Sequence, residues 1–253
     1  MVSTPALVLV AHGTRSARGV EMIAELAEAV ALELGASQTG AGAAFGAASA
    51  PSAPQVRTAF VDVLGPSPSE VLGALDPVPT VVVPAFLASG YHVYQDVPRE
   101  VAASAHAAVA VTHAMGPDPA LAHVMHLRLR AAGWQPGDAV VFAAAGSSDA
   151  RARRDVQRAA TLLSDRLGTP AHLAYIATGE PKVPEVVAAV RDRGAQRVFI
   201  ASYLLAHGLF HQRLHDAGAD GVAEPIGVHP AVVALIADRY RVAAHRLSTV
   251  RAA

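Results

Sequence analysis

Short apolar runs alternate with amphipathic stretches along the first half of the chain. The apolar runs are predicted to be strands, and they cover residues 6–12, 55–64, 80–88 and 109–116. The amphipathic stretches are predicted to be helices, and they cover residues 19–34, 67–75, 97–108 and 119–133. Strands that are apolar throughout are buried on both faces, and their alternation with helices is typical of a parallel sheet covered by helices. The pattern therefore predicts an α/β fold.

The same order of elements starts again near residue 138, and individual positions correspond between the two halves. The correspondences pair Phe60 with Tyr175, Pro66 with Pro181, Glu70 with Glu185, and Gly90 with Gly208. Such self-similarity indicates an internal duplication. We expect two similar α/β domains, residues 1–135 and residues 136–253.

One segment, residues 37–54, breaks this pattern. It carries no charge, it is rich in Gly, Ala, Ser and Pro, and Phe45 is its only large apolar residue. We predict a flexible surface insert between the first helix and the second strand, because loop insertions are generally tolerated at little cost. A lid over a binding site is the alternative interpretation.

Two histidines follow predicted strands, at the sheet edge where open α/β proteins bind their ligands. His12 ends the first strand before Gly13, and His92 follows the third strand after Gly90, which permits a sharp turn. In a doubly wound sheet these two strands lie side by side or nearly so, and the two imidazoles could therefore face each other. The pair predicts a divalent metal site or an acid–base pair. A histidine that is merely hydrogen-bonded at a strand end is the alternative for each.

A third candidate is Asp62, which is predicted to end the second strand and could supply an oxygen ligand or accept a proton. A carboxylate that only caps a turn is the alternative. The second half of the chain has no polar residue at any of the three corresponding positions, which are Ala145, Ala177 and Phe210. A structural role would be needed in both copies, so the asymmetry favours one functional site, located in the first half.

Further polar residues lie in the same turns or in the equivalent turns of the second half. Thr14 and Arg15 follow the His-Gly turn, and a guanidinium there could pair with substrate carboxylates. His207, His211 and His215 are spaced four residues apart, and on one helix they would share a face that could bind a second metal ion. Gly208 lies between the first two, so a helix is expected to begin only after His207.

Composition narrows the class of protein further. Hydrophobic residues make up 52% of the chain and charged residues 16%, which favours a sizeable core over disorder. The formal net charge of −1 leaves no basic footprint, so no nucleic-acid partner is expected. No run of about 18 apolar residues occurs, so no membrane span or membrane partner is expected. The absence of cysteine excludes disulfides and thiolate ligands and fits a cytoplasmic protein.

Three motifs resemble the sirohydrochlorin chelatase family, the class II chelatases that include cobaltochelatases and ferrochelatases. They are LVLVAHGTRS at 7–16, PSPSEVLGAL at 66–75 and VVVPAFLASGYHVYQDVP at 81–98. The resemblance implies two flavodoxin-like halves facing a central cleft, and insertion of Fe²⁺ or Co²⁺ into a polycarboxylated tetrapyrrole.

The same resemblance implies roles for individual residues. His12 and His92 would hold the metal and accept protons, Asp62 would support them, and Thr14, Arg15 and Gly90 would contact the substrate. The divalent metal would be a substrate, with Ni²⁺ also suited to imidazole ligands, and no organic cofactor would be needed. The duplicated chain is expected to work as a monomeric pseudo-dimer.

Two alternatives belong to other functional classes. A non-catalytic metal or tetrapyrrole carrier could use the same histidine pair. A histidine phosphatase is suggested faintly by Ala-His-Gly at 11–13 and again at 206–208. That enzyme class needs an arginine directly before the first histidine, where this chain has Ala11.

Overall fold

Two parallel four-stranded sheets form the framework of the protein. The computed structural model describes residues 4–39 and 53–252. The first sheet has the order β2-β1-β3-β4 and the second the order β6-β5-β7-β8. The strands of the first sheet are β1 (Ala6–Ala11), β2 (Val56–Phe60), β3 (Thr80–Pro84) and β4 (Val109–Val111). Those of the second are β5 (Ala139–Gly146), β6 (Ala171–Thr178), β7 (Val198–Tyr203) and β8 (Gly221–Val222).

Eight α-helices lie along the described chain and cover both faces of each sheet. The first four are α1 (Ala17–Thr39), α2 (Pro68–Leu75), α3 (Val97–Ala103) and α4 (Pro119–Ala131). The second four are α5 (Ala150–Leu167), α6 (Val183–Asp192), α7 (Leu209–Leu214) and α8 (Pro230–Ala252). The predicted α/β fold with two duplicated parallel-sheet halves is confirmed. No helix in the described residues is both long and apolar enough to cross a membrane.

The duplication extends to individual hydrogen bonds. The backbone N–H of Phe60 donates to the carbonyl of Pro66 at 2.9 Å, and the N–H of Tyr175 donates to the carbonyl of Pro181 at the same distance. The helix that follows each of these turns is capped by a glutamate, which accepts a bond from the backbone N–H three residues earlier. The turn chemistry of the first half is thus repeated in the second.

The last helix of each half crosses over to the other half. Helix α4 packs against β7 and α5 of the second half, whereas α8 packs against α1, β3 and β4 of the first. One continuous core therefore joins the inner faces of both sheets, with Leu7 and Leu9 in the same buried cluster as Phe142 and Phe199. The predicted boundary at 135/136 separates the two sheets along the chain. The division into two domains at this boundary stays a prediction, because each sheet is covered by one helix that belongs to the other half of the chain.

Several predicted element bounds are wrong. Strand β2 ends at Phe60, so Asp62 lies beyond the strand in an exposed turn. Strand β4 spans three residues instead of the eight predicted over 109–116. Helix α1 continues to Thr39, into the predicted insert, and residues 40–52 of that insert lie outside the described part of the chain. Apolar sequence alone extended both strands too far, because it does not show where a neighbouring strand stops pairing.

Candidate active site

The carboxyl ends of the central strands of both sheets open onto one cleft. Its volume is about 640 Å³, and its walls come from both halves of the chain. The walls are largely apolar, with Phe86 and Leu87 from the loop after β3, Leu204 from the loop after β7, and Phe210 from α7. Ligands of parallel α/β sheets bind at this edge, and here the duplication sets two such edges around a single cavity.

His12 and His92 meet inside this cleft. Strand β1 pairs directly with β3, which places the residues that follow them side by side. The two imidazole ring centroids are 4.5 Å apart, and the rings are inclined at 67°. His12 is exposed, and the His92 side chain is 34% exposed, so both are accessible from the cleft. The rings are close enough to contact one metal ion, which imidazole nitrogen binds at about 2.0–2.1 Å.

A buried carboxylate fixes the orientation of His92. Asp96 Oδ2 lies 2.6 Å from Nδ1 of His92, and the Arg99 guanidinium forms an ion pair with Asp96 Oδ1 at 2.9 Å. A carboxylate only accepts hydrogen bonds, so Nδ1 carries the proton and Nε2 keeps its lone pair for a metal ion. The Asp96 side chain is 8% exposed, and its charge is therefore balanced by groups that it contacts directly.

A single π-helical turn, His92–Asp96, brings this histidine and this aspartate together. Its defining bond runs from the N–H of Val97 to the carbonyl of His92. Such turns are rare overall, but those that occur are often found at functional sites. Sequence reasoning missed Asp96. The available signal was the spacing of four residues between a histidine and an acid just before a helical segment.

The turn that carries His12 is held by the backbone of Asp62. The Asp62 N–H donates to the carbonyl of His12 at 3.0 Å. Gly13 has φ +97°, and a Cβ added there would lie 2.2 Å from the Asp62 carbonyl oxygen. Only glycine allows this close approach. The Asp62 carboxylate is exposed, accepts from the N–H of Val63 at 2.7 Å, and is not among the residues that line the cleft. The structure thus supports a positioning role for its backbone, while a chemical role for its carboxylate stays a prediction.

The other predicted contact residues lie at or near the cleft. Thr14 lines it and accepts a hydrogen bond from the N–H of Ser16 at 3.2 Å. Arg15 is exposed and forms no ion pair with any residue that the structure describes. Gly90 lies against the second half, because a Cβ there would come within 3.2 Å of the Ala152 Cβ. Gly90 therefore permits close approach of the two halves.

Three histidines of the second half, His207, His211 and His215, form a row of edge-to-face rings beside the cleft. The ring centroids of His207 and His211 are 5.2 Å apart, and those of His211 and His215 are 5.1 Å apart. Helix α7 begins after Gly208, as expected, so His207 lies outside it. His211 Nε2 bonds to the Ala223 carbonyl, and His207 Nε2 lies 3.1 Å from Glu224 Oε2.

No group of three or more His, Cys, Asp or Glu side chains within residues 4–39 and 53–252 is arranged to hold a metal ion. The spacing of His207, His211 and His215 therefore does not produce a second metal site in this arrangement. It also means that His12 and His92 form a two-histidine site, without a third protein ligand among these residues. Ala145 and Phe210 line the opposite wall at the positions that correspond to the two histidines. The candidate site is thus one-sided.

A two-lobed α/β protein that presents a histidine pair in the cleft between two parallel sheets has the architecture of a metal chelatase. The model of the CbiX family matches residues 6–132 and 139–243, and the chain belongs to this family. The resemblance inferred from the motifs is confirmed. A comparison with curated protein sequences finds no significant match.

Solved structures of related proteins share the fold over nearly the whole chain. SirB from Bacillus subtilis with Fe³⁺ is 22% identical, with a TM-score of 0.77 over 95% of this chain and 96% of that one. The sirohydrochlorin chelatase SirB from Bacillus subtilis subspecies spizizenii, in complex with cobalt, is 21% identical, with a TM-score of 0.73 over 96% of both chains. A CbiX that is the terminal enzyme for siroheme biosynthesis in denitrifying bacteria is 25% identical, with a TM-score of 0.65 over 94% and 99%.

Proposed function

We propose that the protein is a sirohydrochlorin chelatase, which inserts Fe²⁺ or Co²⁺ into a polycarboxylated tetrapyrrole. The observation that carries this proposal is the His12–His92 pair, with ring centroids 4.5 Å apart, inside the cleft between the two halves. Membership of the CbiX family supports the same reaction, as do the SirB relatives solved with Fe³⁺ and with cobalt.

The histidine pair suits a metal that must be released. Structural metal sites close around the ion with four protein ligands, whereas a site that keeps open positions can exchange ligands. Here His12 and Nε2 of His92 hold the metal, and the remaining positions are open to water and to the pyrrole nitrogens. Asp96 keeps Nδ1 of His92 protonated, so Nε2 is available for the ion at each turnover.

The shape of the cleft suits a flat, aromatic macrocycle with charged edges. Large apolar side chains lie exposed at its mouth, with Tyr91 from the first half and Leu209 and Phe210 from the second. These side chains contact the ring faces, where burial of apolar surface stabilises the complex. The peripheral carboxylates remain near solvent, where Arg15 pairs with one of them.

Imidazole binds Fe²⁺, Co²⁺ and Ni²⁺ alike, so comparing the rates of insertion of these metals is what identifies the preferred one. No organic cofactor enters the proposed reaction, since the metal and the tetrapyrrole are both substrates. We also propose that the chain acts in the cytoplasm as a single-chain pseudo-dimer. Its continuous inner core supports the second point, because one chain already supplies both walls of the cleft.

The test is anaerobic metallation followed by absorbance, with sirohydrochlorin and either Fe²⁺ or Co²⁺. Wild type is expected to accelerate metallation, and H12A and H92A are each expected to lose most of that acceleration. H245A is the matched control, because His245 is exposed on α8 and is expected to leave the rate unchanged. Binding of both substrates without acceleration would identify a carrier instead and would refute the proposal.

The histidine-phosphatase alternative receives no support. Ala11 is buried at the end of β1, where that class needs an arginine beside the phosphoryl group. The chain also belongs to the CbiX family and not to the histidine phosphatases. Hydrolysis of a generic phosphate ester by the wild type, lost in H12A, would reverse this conclusion.

A further inference from the structure

Metal insertion requires a destination for two protons. Two pyrrole N–H bonds break as two metal–nitrogen bonds form, and both protons must leave the macrocycle. A histidine nitrogen that holds the metal has no lone pair left for a proton. In His92 the other nitrogen, Nδ1, is already protonated against Asp96. The metal pair therefore needs a separate base in the same cleft, an argument that rests on the proposed function.

Four other ionisable side chains line the cleft among the described residues: Tyr91, Tyr203, His207 and His211. A tyrosine hydroxyl is already protonated at neutral pH and cannot act as the base that accepts a pyrrole proton. The Tyr203 hydroxyl also donates to the Leu87 carbonyl, and its burial raises the pKa further. His211 is buried, with Nε2 bonded to the Ala223 carbonyl. His207 is the remaining candidate.

The structure places His207 beside the loop that carries His12. A Cβ added to Gly208 would lie 3.4 Å from Thr14 Oγ1, and one added to Gly19 would lie 2.6 Å from the His207 carbonyl oxygen. The turn around His207 therefore packs directly on the turn that follows His12. Since His207 also lines the cleft, a base at this position reaches the cleft on the side of the His12 turn.

His207 has the partner that a proton acceptor needs. Its Nε2 lies 3.1 Å from Glu224 Oε2, and this carboxylate stabilises the imidazolium once a proton arrives. Burial lowers the pKa of His207, as does the positive charge of Arg18, so the imidazole is neutral and able to accept at neutral pH. The charged and titratable groups that act on it are Arg18 from α1, Arg128 from α4, His211 from α7, and Glu224.

A second cavity offers a route away from the cleft. It has a volume of about 490 Å³, and its lining includes Glu21, Glu25 and Glu224. His207 is the one residue, among those described, that lines both this cavity and the cleft. A proton taken up on the cleft side can therefore be released to water beside these carboxylates without passing the metal.

We propose that His207, supported by Glu224, accepts the pyrrole protons during metal insertion and passes them to the cavity lined by Glu21, Glu25 and Glu224. Each proton moves from a pyrrole nitrogen to the imidazole, and the electron pair left behind forms the metal–nitrogen bond. Nδ1 is the accepting nitrogen, because Nε2 faces the Glu224 carboxylate and carries a proton. The imidazolium then gives up one proton to water in the cavity, and the neutral ring returns to the Nε2–H tautomer before the second transfer. Glu224 is a positioning residue in this scheme, because it acts through His207.

The test measures the pH dependence of kcat for Co²⁺ insertion in wild type, H207Q and E224Q, together with the affinities for Co²⁺ and for sirohydrochlorin. H207Q is expected to lose about 10²- to 10⁴-fold in kcat, with both affinities unchanged. In wild type, kcat is expected to fall at low pH as His207 becomes protonated. The pH profile of H207Q is expected to lack this fall in kcat on the acidic side. E224Q removes a charge that raises the His207 pKa, so its fall in kcat is expected to shift to lower pH.

The controls separate this proposal from the function on which it rests. H215Q alters an exposed histidine of the same row of rings, one that does not line the cleft, and is expected to behave as wild type. The proposal is overturned if H207Q and E224Q keep the wild-type kcat and pH profile while H12A is inactive. Loss of Co²⁺ affinity in H207Q would also overturn it, since His207 would then be a ligand. If the wild type accelerated metallation with neither Fe²⁺ nor Co²⁺, the chelatase function itself would be refuted instead.

Discussion

Replacement of Asp96 by Asn tests whether the tautomer of His92 governs metal binding. The carboxylate accepts a hydrogen bond from His92 Nδ1 at 2.6 Å and forms an ion pair with Arg99 at 2.9 Å. An asparagine of the same shape has one accepting oxygen and one donating NH₂ group. If its oxygen faces Arg99, its NH₂ group faces Nδ1, which must then accept, and the proton moves to Nε2. The lone pair that would bind the metal is lost in that state.

The size of the effect follows from the number of bonds that change. Removing the second partner of a metal-binding histidine costs roughly 10- to 100-fold in metal affinity or activity. At about 1.4 kcal/mol per factor of ten, this corresponds to about 1.4–2.8 kcal/mol. The site is buried, so a mispaired amide also costs about 1–3 kcal/mol of folding stability. D96N should thus bind Co²⁺ more weakly and unfold at a lower temperature than wild type.

The assay is a Co²⁺ titration together with the metallation rate as a function of Co²⁺ concentration. E100Q is the matched control, because Glu100 lies on α3, directly after the turn that carries Asp96, and contacts Arg99 and Ser69 but not His92. It is expected to keep the wild-type affinity for Co²⁺. An unchanged affinity and rate in a folded D96N would show that Asp96 does not set the state of His92.

Three further substitutions test the fold around the site. Y203F removes the bond from the Tyr203 hydroxyl to the Leu87 carbonyl at 2.7 Å, so we expect a loss of about 1 kcal/mol in unfolding free energy, and an unchanged Tm would contradict this. G13A places a Cβ 2.2 Å from the Asp62 carbonyl oxygen at a φ of +97°, so we expect weaker Co²⁺ binding and at least about 1 kcal/mol of destabilisation by calorimetry. L26A opens a cavity in the core that joins both halves, so we expect a loss of about 2–5 kcal/mol in a single denaturation transition, and two separate transitions would refute the shared core.

The sequence predicts that His12 and His92 lie close together, because the order of the strands in the sheet determines which strand ends are neighbours. Once the first and third strands are recognised as buried strands of a doubly wound sheet, His12 and His92 must follow neighbouring strands. The contrast with Ala145 and Phe210 also predicts a one-sided site, and both residues do line the cleft opposite the histidines. These inferences need only the alternation of elements and the position of each residue at a strand end.

Other features depend on backbone geometry and contacts that the sequence pattern alone does not fix. Asp96 reaches His92 through a π-helical turn, whose extra residue per turn leaves no periodic signature in five residues. Asp62 lies only two residues beyond the end of β2, yet its carboxylate bonds to Val63 within its own turn. The pairing of His207 with Glu224 joins two loops that are distant in sequence. The first two are decided by the local backbone geometry of their turns, and the third by tertiary packing.

The exchange of α4 and α8 bears on what a single half could be. A chain that stopped at residue 135 would carry α4 away from the sheet that it covers, and it would leave bare the face of its own sheet that α8 occupies. Such a fragment satisfies both faces only by interlocking with a second copy, each lending its last helix to the other. The duplicated chain thus has the arrangement of an intertwined dimer joined into one chain, with histidines at the strand ends of one sheet and apolar side chains at the corresponding positions of the other.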